Sequence, residues 1–189
     1  EKAPPSVASH PLENGLEVMP DYLPQPNDGR LPLVLDVMRR MKTAVGETTA
    51  LYGLVCGPFT LASHLRGTEI FMDMMMNAEG LKTLLTYTRD VTIRLIDLYL
   101  DAGMDIIAVV DPLVSQIGPK HFAQFLHDPF TDLFAHIREC GALSSFFVCG
   151  DANKNIEAMC RTIPDSISVD ENIDFLKAKA ITDQHNIAL

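Results

Sequence analysis

Leu51-Tyr52-Gly53-Leu54-Val55-Cys56, followed at once by Gly57-Pro58-Phe59-Thr60-Leu61-Ala62-Ser63-His64-Leu65-Arg66-Gly67, decides the fold. Six mainly apolar residues are too few for a buried helix and enough for a buried strand. Gly57-Pro58 stops that strand. Proline suits the first position of a helix, where its missing N–H bonds nothing anyway, so a helix is expected over Pro58–Arg66. The same unit recurs downstream. Asp105-Ile-Ile-Ala-Val-Val110 ends at Asp111-Pro112, Ser144-Ser-Phe-Phe-Val-Cys149 ends at Gly150, and Ser166-Ile-Ser-Val169 ends at Asp170.

Helical patterns lie between these runs. From Leu31, apolar residues recur at Leu33, Val34, Val37, Met38 and Met41 until Gly46. A long helix is expected from Asn77, a good N-cap, to Ala102, with Gly103 at the position that tolerates a left-handed backbone. Its apolar stripe is Leu81, Leu84, Leu85, Thr88, Val91, Leu95, Leu98 and Tyr99. Pro119–Cys140 reads as helical with a break near Asp128-Pro129, because a residue before proline disfavours the α region. Asn155–Arg161 and Phe175–Ala180 read as short helices, and Ile187–Leu189 as the opening of another strand. Residues 1–30 hold Pro4, Pro5, Pro11, Pro20, Pro24 and Pro26, so extended chain is expected there, lying over a folded body.

Strand, helix, strand, helix is the order of a parallel sheet covered by helices. No GxGxxG or GxxxxGK[ST] loop is present, which moves the expectation from an open doubly wound sheet to a (β/α)8 barrel. Four or five strands cannot close eight. The expectation is therefore the central portion of a barrel, about strands 3 to 7, with residues 31–189 part of one domain that continues at both ends.

Net charge is −10 over 189 residues. Nucleic acid and anionic membranes both need a basic face, so neither is expected as a partner. No apolar run is long enough to span a membrane. The cysteines Cys56, Cys140, Cys149 and Cys160 form no CxxC pair and read as reduced thiols in a cytoplasmic protein. Cys56 reads as core, and Cys140 and Cys160 as packing residues at helix ends. His121, His127 and His136 are left as surface or structural, and the run Met72, Met74, Met75, Met76 as a helix packed on its neighbours or a lid.

Gly57-Pro58-Phe59-Thr60-Leu61 resembles the strand-turn-helix signature of the uroporphyrinogen decarboxylase family. Asp111-Pro112 with Ser115-Gln-Ile-Gly-Pro-Lys-His-Phe122, then Phe147-Val-Cys-Gly-Asp151 and Ser168-Val-Asp-Glu171, follow in the family's order. The resemblance implies a distorted TIM barrel and two chemistries. Decarboxylases of the family act on uroporphyrinogen without metal or cofactor and carry a tyrosine where this chain has His64. The methyltransferase branch moves a methyl group between a methylated corrinoid and a thiol-type acceptor. It carries His-x-Cys-Gly at a strand end, whose His and Cys bind zinc. Here Phe147-Val148-Cys149-Gly150 keeps the Cys-Gly half. The resemblance thus implies methyl transfer first, decarboxylation second and a non-catalytic tetrapyrrole-binding barrel third. The partners implied are a corrinoid protein or a tetrapyrrole, and a homodimer is compatible with either.

The site residues expected are His64 and Asp111 for catalysis; Phe59, Asp111 and Asp170 for substrate or cofactor; and Cys149 with Glu171 for zinc. Each follows or ends a strand on the side where barrels place their chemistry.

Overall fold

The computed structural model describes residues 6–189. Pro4 and Pro5 lie outside the described residues. After an irregular segment come α1 (Leu31–Val45), β1 (Tyr52–Cys56), α2 (Pro58–Arg66), α3 (Ile70–Met76), α4 (Ala78–Asp101) and β2 (Ile106–Val110). A short α5 (Pro119–His121) runs through a π-helical turn (Phe122–Leu126) into α6 (His127–Glu139). Then follow β3 (Leu143–Val148), α7 (Ile156–Cys160), β4 (Ser166–Val169) and α8 (Phe175–Gln184).

The four strands pair parallel in sequence order, β1-β2-β3-β4. No strand is displaced, so the sheet has no topological switch point, as a doubly wound sheet would. Register is continuous: Val55 lies beside Val109, Val109 beside Phe146, and Phe146 beside Ile167. The fifth expected strand is reduced to one bridge, Ser166 with Ala188.

Alternation splits the sheet into two faces. Gly53, Val55, Ile107, Val109, Ser144, Phe146, Val148 and Ile167 turn toward the helices. Gly53 has no room for a side chain, since a Cβ there would meet Tyr99 Cδ2 at 2.9 Å. The opposite face carries Tyr52, Leu54, Ala108, Val110, Leu143, Ser145, Phe147 and Ser168. On it Leu54 is 56% and Leu143 55% exposed, so a broad apolar surface lies uncovered.

The helix side is an aromatic core. Phe146 of β3 packs against Phe130, Phe134 and Phe122, with ring centroids 4.3, 5.3 and 6.3 Å away. Helix α4 begins where Asn77 accepts from Gly80 N–H and buries Leu81, Leu84, Leu85, Thr88 and Val91 as its spacing predicts, with Thr92 and Ile96 added. Thr92 Oγ1 donates to Cys56 O at 3.0 Å, pinning the helix to the end of β1.

The expected break at Asp128-Pro129 is absent. Pro129 falls in the first turn of α6, where a missing N–H costs little. The irregularity sits just before it, where His127 N–H reaches back to Phe122 O in the π turn. Helix α8 also runs four residues past the expected Ala180.

The proline-rich segment is tied down. Leu12 N–H donates to Leu65 O at 2.8 Å, and Arg66 Nη1 donates to the carbonyls of Leu12 and Glu13 at 2.8 and 2.9 Å. The same guanidinium grips Asp73 through Nε at 2.7 Å and Nη2 at 3.1 Å. Tyr87 Oη donates to Tyr22 O, and Arg94 Nε to Pro24 O.

Phe146→Ala should cost about 3–5 kcal/mol, the usual cost of emptying a buried aromatic site. Urea denaturation of the variant beside the wild type measures it.

Candidate active site

The carboxyl ends of the strands gather Cys56, Asp111, Cys149 and Asp170, with His64 in the last turn of α2. The most constrained of these is Asp111. Its carboxylate is fully buried and accepts three hydrogen bonds from the start of α2: Phe59 N–H at 2.9 Å, Thr60 N–H at 3.1 Å and Thr60 Oγ1 at 2.5 Å. Those N–H groups have no partner within their own helix. A side chain from β2 thus caps a helix that follows β1. Gly57 makes the approach possible, for a Cβ there would stand 2.4 Å from Asp111 Oδ2. The Asp111 oxygens are occupied inside the protein rather than presented to the strand ends.

Burial pushes the Asp111 carboxyl up to about 6, against the pull of the Thr60 and Phe59 donors. The Cys56 thiol beneath it is pushed up to about 12 by burial and by the Asp111 charge. Cys56 is half-buried on the uncovered sheet face rather than sealed in the core.

Phe59, expected to touch substrate, has a fully buried ring set edge-to-face on Phe71 at 5.9 Å. Its link to the site is the backbone N–H on Asp111. His64 borders two depressions. One, about 450 Å³, runs over Leu54, Cys56, Thr60, Val110 and Pro112 on the uncovered face. The other, about 350 Å³, lies between His10, Ser63, Phe71, Leu113 and Gln116. His10 Nδ1 lies 3.0 Å from His64 O and must carry a proton, because a carbonyl can only accept.

Cys149 lies one residue past β3 and is partly exposed. Burial, Asp170 and Glu171 all raise its pKa, so the thiol is held protonated. Asp170 accepts from Gly150 N–H at 2.6 Å and from Asn172 N–H at 3.0 Å, and these donors lower its own pKa. Gly150, at φ +85°, turns the chain between Cys149 and the next helix. Zinc needs three or more protein donors. Here Phe147 offers none, Glu171 is exposed, and Asp170 is engaged with backbone N–H groups. The described residues therefore do not complete a zinc site at Cys149.

They do assemble three metal-type ligands elsewhere. Asp97, His136 and Cys140 bring one ligand atom each within 4.8 Å of one another. Cys140 is exposed, not a packing residue as expected, while Cys160 is buried. The sequence signal was His136 and Cys140 four residues apart, one face of one helix. The third ligand comes from a helix 39 residues earlier and was not legible. Met74 is buried, whereas Met72, Met75 and Met76 are exposed.

Comparison with known proteins fits this geometry. A family model described as Uroporphyrinogen decarboxylase (URO-D) matches residues 1–189. The chain belongs to the uroporphyrinogen decarboxylase family. Among relatives of this URO-D chain, the methylcobamide:CoM methyltransferase MtbA of Methanosarcina acetivorans is 26% identical over 181 residues, 94% of this chain and 53% of that protein. MtaA of Methanosarcina barkeri, also a methylcobamide:CoM methyltransferase, is 30% identical over 174 residues, 89% of this chain and 50% of that protein. A uroporphyrinogen decarboxylase of Synechococcus is 24% identical over 164 residues, 82% of this chain and 46% of that protein. A solved methyltransferase from Methanosarcina mazei superposes with a TM-score of 0.81 at 24% identity, covering 93% of this chain and 52% of that one. The chain spans about half the length of the curated relatives it matches. The parallel sheet, in order and without a switch point, is thus a portion of the URO-D TIM barrel. No helix of the described residues is long and apolar enough to cross a membrane.

Asp111 sets a pH dependence. Its folded pKa, about 6, stands above the ordinary aspartate value of 3.8. The native state therefore holds the proton more tightly, and the stability this contributes is complete below about pH 4 and lost as pH rises through 6. The full swing is on the order of 3 kcal/mol. Denaturant midpoints from pH 4 to 7 should show this slope in the wild type and lose it in Asp111→Asn, a weaker cap with no charge to titrate.

Proposed function

We propose that the protein transfers a methyl group between a methylated corrinoid and a thiol-type acceptor. The reading is carried by the thiol of Cys149 at the carboxyl end of β3, in a chain whose relatives include methylcobamide:CoM methyltransferases. In the reaction the methyl group leaves cobalt(III) and bonds to sulfur. The bonding pair stays on the corrinoid, which becomes cobalt(I), and the acceptor thiol loses its proton to solvent.

This chain supplies one side of the site. The apolar depression over Leu54, Val110 and Pro112 suits the flat face of a macrocycle. His64 stands at its rim and can donate or accept a hydrogen bond. Asp170 fixes the Gly150 turn that carries Cys149. Held protonated by burial and by its acidic neighbours, Cys149 becomes a ligand or nucleophile only when a cation or base draws off its proton. Asp111 is a positioning residue: it sets the start of α2, and hence His64, against the end of β2.

One observation favours a second reading, decarboxylation of uroporphyrinogen. That chemistry needs no metal, and Phe147 stands where the methyltransferase branch carries its histidine ligand. The full-length protein, given methylcob(III)alamin and coenzyme M, should demethylate the corrinoid, followed by its visible absorption. Cys149→Ser should slow this at least about 100-fold, the scale lost when a reacting group is misplaced. Uroporphyrinogen consumption without methyl transfer would replace the proposal with the second reading. Corrinoid binding with neither activity would leave a binding barrel.

A further inference from the structure

Helices α4 and α6 lie side by side outside the sheet, joined by Arg89 Nη1 to Asp132 Oδ2 at 2.7 Å. Near their carboxyl ends they meet again. His136 Nε2 stands 2.7 Å from Asp97 Oδ1, and Cys140 Sγ stands 3.8 Å from that same nitrogen. Asp101 and Glu139 lie close enough to raise the Cys140 pKa, after burial and with Asp97. Asp97 and Asp101 are four apart on α4, as are His136 and Cys140 on α6, so each pair shares one helix face.

This end is remote from the chemistry in kind as well as place. Helix α4 ends just before β2, and α6 just before β3. The cluster therefore lies at the amino ends of the strands, the side of a barrel associated with stability rather than catalysis.

We propose that Asp97, His136 and Cys140 form a structural site for a borderline-soft divalent cation, Zn²⁺, clamping α4 to α6 at the amino-terminal face of the sheet. The ligand types are right: one thiolate, one imidazole and one carboxylate, whose two negative charges balance the metal. Zinc bonds of about 2.0–2.3 Å place tetrahedral ligand atoms roughly 3.3–3.8 Å apart. The Asp97–His136 pair, now 2.7 Å apart, has to open by about 0.6 Å and the widest separation, at most 4.8 Å, to close by up to about 1 Å; side chains 29% and 37% exposed, His136 and Asp97, reach this by rotation. On binding, the Cys140 thiol proton passes to solvent, and the proton that Nε2 shares with Asp97 leaves that nitrogen, to solvent from an imidazolium or to Nδ1 from a neutral ring, so that Nε2 is free for the metal. Asp101 or water fills the fourth position. The ion replaces a single His–Asp contact with a three-point tie between helices.

The test uses the full-length protein stripped of metal and titrated with Co²⁺, then with Zn²⁺ while the melting temperature is followed. A cobalt–thiolate absorption band should appear in the wild type and persist in Cys149→Ser. It should vanish in Cys140→Ser and weaken strongly in His136→Asn. Zinc should raise the melting temperature of wild type and Cys149→Ser by several degrees and leave Cys140→Ser unmoved. Cys140 is exposed, so its serine variant keeps the fold, and a circular dichroism spectrum checks this. A band that survives intact in Cys140→Ser, or no band in any form, overturns the site.

Discussion

One buried carboxylate sets the relation between the first two strand–helix units. Asp111 leaves the end of β2 and accepts from the start of α2, an element that follows β1. In a parallel sheet the strands are held only by slanted ladder bonds, and each helix could slide along its groove. The Asp111 clamp removes that freedom at the end where the chemistry lies. Two further contacts depend on it. Gly57 must lack a side chain to admit the carboxylate, and Leu113 N–H approaches Thr60 Oγ1 at 3.4 Å, extending the same junction by one more residue. The cost is a charge in a dry place, which the three donors offset only in part.

The second organising feature is the division of labour between faces. The helix face is filled by the aromatic rings of Phe122, Phe130 and Phe134 around Phe146. The other face is built of Tyr52, Leu54, Val110 and Phe147, with Ser145 Oγ and Ser168 Oγ bonded to each other at 2.9 Å. That bond uses one of the two hydroxyl protons and leaves the other for a further partner. This face is the surface expected of a barrel interior, where side chains from neighbouring strands stack in layers.

The strands were legible because each is a short apolar run closed by glycine, proline or aspartate. The caps of α4 were legible for the same reason, since Asn77 and Gly103 are local signals. The job of Asp111 was not, because Asp-Pro is an ordinary turn signal and its partners stand 51 and 52 residues away. Nor was Phe59, whose place in the family motif suggests a ligand while its ring sits inside. His136 read as surface or structural because only Asp132 lay one turn before it. Its neighbours are one turn later and on another helix. The URO-D resemblance supplied what periodicity lacked, the order of motifs along the chain, and it is strongest at Gly57-Pro58 and weakest at Phe147.

The π-helical turn between Phe122 and Leu126 has a consequence for how this sequence can vary. A π turn takes up one extra residue while leaving the helix on either side in phase. Losing one residue there restores ordinary α-helix and keeps α6 aimed as before, with Phe130 and Phe134 still on Phe146 and His136 still toward Asp97. The same loss three residues beyond Pro129 turns the rest of α6 through about 100°. The turn is therefore a seam in the outer helix layer, a place where length can drift between related chains while the core below keeps its register.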